Sequence, residues 1–326
     1  MGYVKTEHTG ILSEGGRMLS YMLFEPESPP KAILHILPGL AEDPDRLEEA
    51  GLPAHMTDAG ILVCCATAQV KTEQGGGIDI SWLPEKDSVT ELFGVLRKKY
   101  RNLPYIVLGI GTGSLVLRSL LPEAGTMFDG CALCGTYTET AGTLTPLLLA
   151  RLASLLFGDA HACGTVTRLH YGRMNAVCRA EQSRLLSWLC SGQGDSRAAE
   201  KPYILPDGRI RAYTAGECLE LYRLIRALNA EDASEKLPRS LPVLLLSGKE
   251  DPAGGMGEGI RALHQALFEA ELDDLQMKLY DGCRHALMYE PCREQLYADL
   301  EDWILGICQA KLQCKTLPAF RKPDTD

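Results

Sequence analysis

Short, mostly apolar runs alternate with stretches of helical apolar spacing through the first 135 residues of the chain. Runs of this length between turn residues predict strands at Arg17–Phe24, Ala32–Leu37, Ile61–Ala66, Tyr105–Gly109 and Cys131–Gly135. The segments between them predict helices at Arg46–Ala59, Lys86–Tyr100 and Thr112–Leu121. Pro84 stands just before the second helix, where its fixed φ costs little. The later strand candidates are apolar throughout rather than alternating, the pattern of strands buried on both faces. Strands and helices in this order predict an α/β protein with a mostly parallel sheet flanked by helices.

The alternation stops near Tyr137 and resumes after Pro238. The intervening stretch is rich in helical patterns. It holds a polar loop, Ser191 to Ser196, and a short extended piece flanked by Pro202 and Pro206. Beyond it the pattern predicts strand Val243–Ser247, helix Met256–Ala270, strand Leu275–Tyr280 and a final helix Pro291–Gln309. The expected organisation is a core of residues 1–136 and 239–313, an inserted helical cap at 137–238, and a frayed polar tail at 314–326. The most apolar segment, Leu144–Phe157, is interrupted by Arg151 and too short to span a bilayer. It reads as an amphipathic or buried cap helix.

The chain has 326 residues, enough for one large domain with an insertion, or for two domains. Its net charge of −10 argues against nucleic acid or an anionic membrane as partner. Residues 1–7 (Met1 to Glu7) contain no apolar stretch of the signal-peptide kind, so no secretory signal is expected there. Twelve cysteines then read as free thiols in a reducing cytoplasm. Cys131 and Cys134 have C-x-x-C spacing, but on a strand residues three apart face opposite ways, so neither a metal pair nor a redox pair is expected. Asp273 and Asp274 have no histidine at ligand spacing, and no metal site is read there.

The chemistry concentrates in four segments. Residues 109–114 read Gly109-Ile110-Gly111-Thr112-Gly113-Ser114, a sharp glycine turn between a buried strand and a helix. Pro38-Gly39-Leu40-Ala41-Glu42 leads through Asp43-Pro44-Asp45 to Arg46. Leu241 to Pro252 is an apolar strand ending in Glu250-Asp251, and Leu279 to Glu290 contains Cys283-Arg284-His285. In order and spacing these segments resemble the monoacylglycerol lipase and lysophospholipase group of the α/β-hydrolases, whose elbow follows G-x-S-x-G. Weaker similarity covers Ser13-Glu14-Gly15-Gly16 and Ser187-Trp188-Leu189, so the resemblance spans nearly the whole chain. It implies an α/β-hydrolase fold with an inserted helical cap, no cofactor and no metal.

The resemblance makes Asp251 the acid and His285 the base of a catalytic triad. It implies an oxyanion hole formed by the backbone N–H groups of Leu40 and Thr112. Cys134, near a strand end, and Trp188 are expected to line the substrate site, and Leu144–Phe157 with Met174 and Trp188 read either as an apolar pocket for an acyl-type ligand or as ordinary packing of cap on core. Three departures stand out. Gly111 occupies the nucleophile slot, Pro38 replaces the histidine before the family's glycine, and Cys64 to Lys71 does not match the family's segment after the third strand. Glycine tolerates the strained elbow backbone better than serine does. The expected protein therefore has impaired or lost ester hydrolysis and binds a small apolar ligand or a protein partner. One alternative is an active esterase that uses His285-activated water or a non-standard nucleophile among Thr112, Ser114, Cys65, Cys134 and Cys283. Another follows from the G-x-G-x-x-[SGA] reading of Gly109 to Ser114, which fits a nucleotide-binding oxidoreductase. Against that reading, the next strand ends Cys134-Gly135-Thr136, without the acid such a site needs.

Overall fold

A computed structural model describes residues 2–12, 18–39, 42–66, 70–72, 78–80, 86–138, 142–179, 184–230, 233–234 and 236–316. The described part of the chain contains an eight-stranded sheet. A hairpin of β1 (Tyr3–Leu12) and β2 (Met18–Pro26) runs antiparallel at one edge. The other six strands are mutually parallel: β3 (Ala32–Leu37), β4 (Ile61–Ala66), β7 (Tyr105–Ile110), β8 (Gly130–Cys134), β9 (Val243–Gly248) and β10 (Leu275–Tyr280). Their order across the sheet is β1-β2-β4-β3-β7-β8-β9-β10. Two short strands, β5 (Val70–Thr72) and β6 (Ile78–Ile80), pair separately. Every residue of β3, β7, β8 and β9 is buried, including the polar His35 of β3 and Ser247 of β9.

The order of the strands places the site. From β3 the chain moves outward to β4 and then returns to β7 on the other side of β3. Helices leaving β3 and β7 therefore pass to opposite sides, and a crevice opens beyond their carboxyl ends. Leu37 is in register with Gly109 there, so Pro38-Gly39 and Gly111 face each other across that crevice. Between β8 and β9, which are neighbours in the sheet, the chain inserts α5 (Leu144–Phe157), α6 (Gly164–Val177), α7 (Ser196–Glu200) and α8 (Ala215–Leu228).

Four expected elements differ. The single helix Arg46–Ala59 is two, α1 (Pro44–Glu49) and α2 (Leu52–Asp58). Gly51 adopts φ 87° between them, and Pro53 has no N–H to offer an earlier turn, so it sits in the first turn of α2. The helix expected from Met256 begins at Glu258 as α9 (Glu258–Glu269), because Met256 and Gly257 both take left-handed backbone. The final helix α10 runs from Arg293 to Thr316, beyond the expected end at Gln309. Lys311 reaches Asp129 at 2.5 Å and ties its last turns to the sheet. The piece between Pro202 and Pro206 is a short helical turn, Lys201–Tyr203, followed by an isolated bridge from Ile204 to Ile210. Strand β1 was not foreseen, and α3 (Lys86–Lys99) and α4 (Thr112–Ala124) form close to expectation.

Helix α5 has the foreseen bounds but not the foreseen burial. Only Pro146 and Ala150 are buried, while Leu148, Leu155 and Phe157 are 61%, 75% and 65% exposed. Ser13 to Arg17, Leu40, Ala41, Thr67 to Gln69, Pro84 and residues 317–326 lie outside the described residues.

Glycines inside helices test this arrangement. Gly172 lies mid-way along α6, with open space where a Cβ would sit. Gly172→Ala is expected to raise stability by about 0.5–1 kcal/mol, read from urea unfolding.

Candidate functional site

The bend between β7 and α4 is held from three sides. Gly111 has φ 53° and ψ −117°, in the left-handed half of backbone space that glycine enters without strain. Its N–H donates to the Cys134 carbonyl at 2.8 Å, tying the bend to β8. Its carbonyl accepts from the Ser114 N–H at 3.1 Å and from the Ser114 hydroxyl at 2.5 Å. Ser114 thus caps the turn and does not face the crevice as a nucleophile. Gly39 abuts the same bend, and a Cβ on it would meet the Ile110 carbonyl at 2.8 Å.

The loop after β9 carries Asp251, which is fully buried and accepts the Ala253 N–H at 2.8 Å. The loop after β10 carries His285. Its Nδ1 lies 3.1 Å from Asp251 Oδ2 and 3.3 Å from Oδ1. The other ring nitrogen points to the bend. A Cβ on Gly111 would stand 3.4 Å from His285 Nε2. A hydroxyl on that carbon would fall within hydrogen-bonding reach of the imidazole. The other side of the ring rests on Gly135, φ 61°, where a Cβ would be 3.4 Å from Cε1. The imidazole therefore lies between two glycines, at the amino end of a helix whose dipole favours negative charge. Such a base, oriented by a carboxylate, can take a proton from whatever hydroxyl or water is bound beside it.

The expected residues divide. Asp251, His285, Gly111 and Thr112 come together, with Thr112 opening α4 next to the bend. Leu40 lies outside the described residues. Trp188 is buried with its ring 4.9 Å from that of His285, and Cys134 is buried at the end of β8. The cysteine candidates are poor nucleophiles: burial pushes the Cys134 thiol up to about 12, holds Cys65 well above its usual value and raises Cys283.

Three participants escaped sequence reasoning. Tyr137 meets His285 edge-on with ring centroids 5.3 Å apart. Glu290 is buried and accepts the Ser191 N–H at 2.7 Å, the Ser191 hydroxyl at 2.5 Å and the Arg284 N–H at 2.8 Å. It therefore locks the helical insertion onto the histidine loop, as does Arg284 Nη1, which donates to the Ser187 carbonyl at 2.6 Å. His170 on α6 packs edge-on against Trp188, with its Nδ1 3.0 Å from the Tyr222 hydroxyl.

Burial holds His170 at about 3, assisted by the charges of Arg173 and His285, and holds His35 at about 4. Both are neutral in the fold and take up a proton on unfolding below pH 6.5, so the unfolded state gains as pH falls. Each is expected to remove up to about 1.4 kcal/mol of stability per pH unit from pH 6.5 down to pH 4. Glu42 acts in the opposite sense. Burial pushes it up to about 7 despite Arg46 at 3.6 Å, so its charged form opposes folding above that pH. Glu42→Gln is expected to be more stable than wild type at pH 8 and to lose stability more steeply below pH 6.5, in urea melts across pH.

A parallel sheet with its crevice at the β3–β7 switch, a strand–helix bend turned at a glycine and an Asp–His pair on the loops after β9 and β10 define the α/β-hydrolase fold. Residues 28–292 match the family model described as serine aminopeptidase, S33, and the chain belongs to that family. No curated protein sequence matches the chain. Among solved structures it is similar to a thermostable carboxyl esterase from Bacillus coagulans in complex with glycerol, with TM-score 0.78 and 21% identity over 94% of this chain and 99% of the other. The Paleococcus ferrophilus monoacylglycerol lipase aligns with TM-score 0.62 and 15% identity over 89% and 99% of the two chains. A soluble variant of the Saccharomyces cerevisiae monoglyceride lipase with a substrate analogue aligns with TM-score 0.61 and 13% identity over 94% of each chain. The chain thus shares the α/β-hydrolase fold of these esterases and lipases. Among the described residues no group of three or more His, Cys, Asp or Glu is placed to hold a metal ion, and no helix is long and apolar enough to cross a membrane.

Proposed function

We propose that this protein binds a small acyl-type molecule and has lost or nearly lost serine-based ester hydrolysis. One observation carries the reading: the position that faces His285 Nε2, where the bend would present a nucleophile, is Gly111. In this reading His285 is the base and Asp251 its orienting acid, but among the described residues no side-chain atom stands where a nucleophile would be deprotonated. Residues 137–238 form the cap of this site, and Trp188 and Tyr137, each against the His285 ring, with His170 packed on Trp188, supply an aromatic wall suited to an apolar ligand. All described cysteines are free thiols, which supports a reducing, cytoplasmic setting.

The intact Asp251–His285 pair favours one other reading, in which His285 activates a water that attacks an activated acyl group directly. The two differ in turnover. Wild-type protein is expected to hydrolyse a nitrophenyl butyrate no faster than a His285→Ala control. A monoacylglycerol or free fatty acid is also expected to change Trp188 fluorescence, with Trp188→Phe as the control. Wild-type turnover that His285→Ala abolishes overturns the loss of hydrolysis; the absence of any fluorescence change overturns the acyl ligand.

A further inference from the structure

Helix α5 turns the wrong way round for a core helix. Its buried side, Pro146 and Ala150, is narrow and rests on the insertion, chiefly α8. Its outer side carries Leu148, Leu149, Leu152, Leu155, Leu156 and Phe157, exposed by 40–75%. Leu144 at its first turn is 54% exposed. These side chains present several hundred Å² of contiguous apolar surface, beyond what a monomer ordinarily leaves in water and close to the ~800 Å² each partner buries in a standard interface.

The face has the features of a helix seam. Leu148, Leu152 and Leu155 follow a four-then-three spacing, and Leu149, Leu152 and Leu156 a three-then-four spacing. Two such rows side by side form ridges and a groove that an identical helix can fill. Charge agrees. The chain carries a net charge of −10, yet α5 contains no Asp or Glu and only Arg151 among charged residues. Two copies can therefore meet here without bringing their acidic surfaces together. Helices that lie on lipid surfaces carry a polar face rich in Lys and Arg, which α5 lacks.

We infer that α5 is the interface of a homodimer, in which the outer leucine rows of two copies interdigitate about a two-fold axis. An isologous contact of this kind closes on itself and removes the apolar face from water in both copies. It does not depend on what the crevice binds.

Sedimentation velocity of the full-length protein over a wide concentration range tests this. The expected result is a species of twice the chain mass that dissociates only on strong dilution. The double variant Leu148→Glu/Leu155→Glu is expected to sediment as a folded monomer with the wild-type far-ultraviolet circular dichroism, since both positions face outward, and to lose the concentration dependence of the wild-type thermal midpoint. If that variant does not fold, Leu152→Gln serves instead and is expected to weaken dimerisation at least tenfold. A wild-type monomer at every concentration overturns the inference, as does a dimer that these substitutions leave intact. A wild-type monomer that floats with phosphatidylcholine vesicles assigns the face to lipid and likewise overturns it.

Discussion

Gly111→Ser is expected to hydrolyse an activated ester at least about 10²-fold faster than the wild type, the low end of what a positioned general base supplies. The Cβ it introduces lands 3.4 Å from His285 Nε2, and the nearest described atom outside the ring is Gly39 Cα, at 3.9 Å. None of the described residues has to move for the hydroxyl to meet the imidazole. Asp251 already holds Nδ1, which leaves Nε2 to accept the hydroxyl proton. The same substitution is expected to cost about 1–3 kcal/mol, because serine must adopt φ 53° and ψ −117° where glycine does so freely. Activity and stability should therefore move in opposite directions, by ester assay and urea melt on one preparation. A variant that keeps wild-type stability would mean that residue 111 does not hold this backbone in solution.

Gly113→Ala, two residues on, is expected to destabilise the fold by about 3 kcal/mol or more without any gain of function. A Cβ there would run into the Leu37 and Pro38 carbonyl oxygens. Both are backbone atoms at the end of β3, and β3 is held on each side by β4 and β7. No side chain can swing away to make room, so either α4 lifts or the strand end shifts. The contrast with Gly172→Ala, where the added methyl meets nothing, isolates close approach from helix propensity. Equal effects at the two positions would contradict the packing described for the crevice.

How far the sequence foretold this site depends on how local each feature is. The strand–bend–helix around Gly111 and the loops carrying Asp251 and His285 were legible because each is a short contiguous pattern that dictates its own backbone. Gly135 was not, since its part is to leave room for an imidazole from a residue 150 positions later. Glu290 and His170 were missed for the same reason, their partners Ser191 and Tyr222 being remote in the chain. Strand β1 escaped because it is an exposed edge bearing Lys5 and Glu7, without the apolar run that marked the inner strands. Helix α5 was placed to the residue, yet its exposure was hidden. A helix apolar on nearly every side gives no periodicity from which to choose an inner face.

The direct test is to treat wild type and Gly111→Ser with a fluorophosphonate and locate any adduct by mass spectrometry. No serine adduct is expected on the wild type, a single adduct at position 111 in the variant, and its loss when His285→Ala is added. Labelling of the wild type at another serine, or a folded Gly111→Ser that stays unlabelled, would contradict this reading.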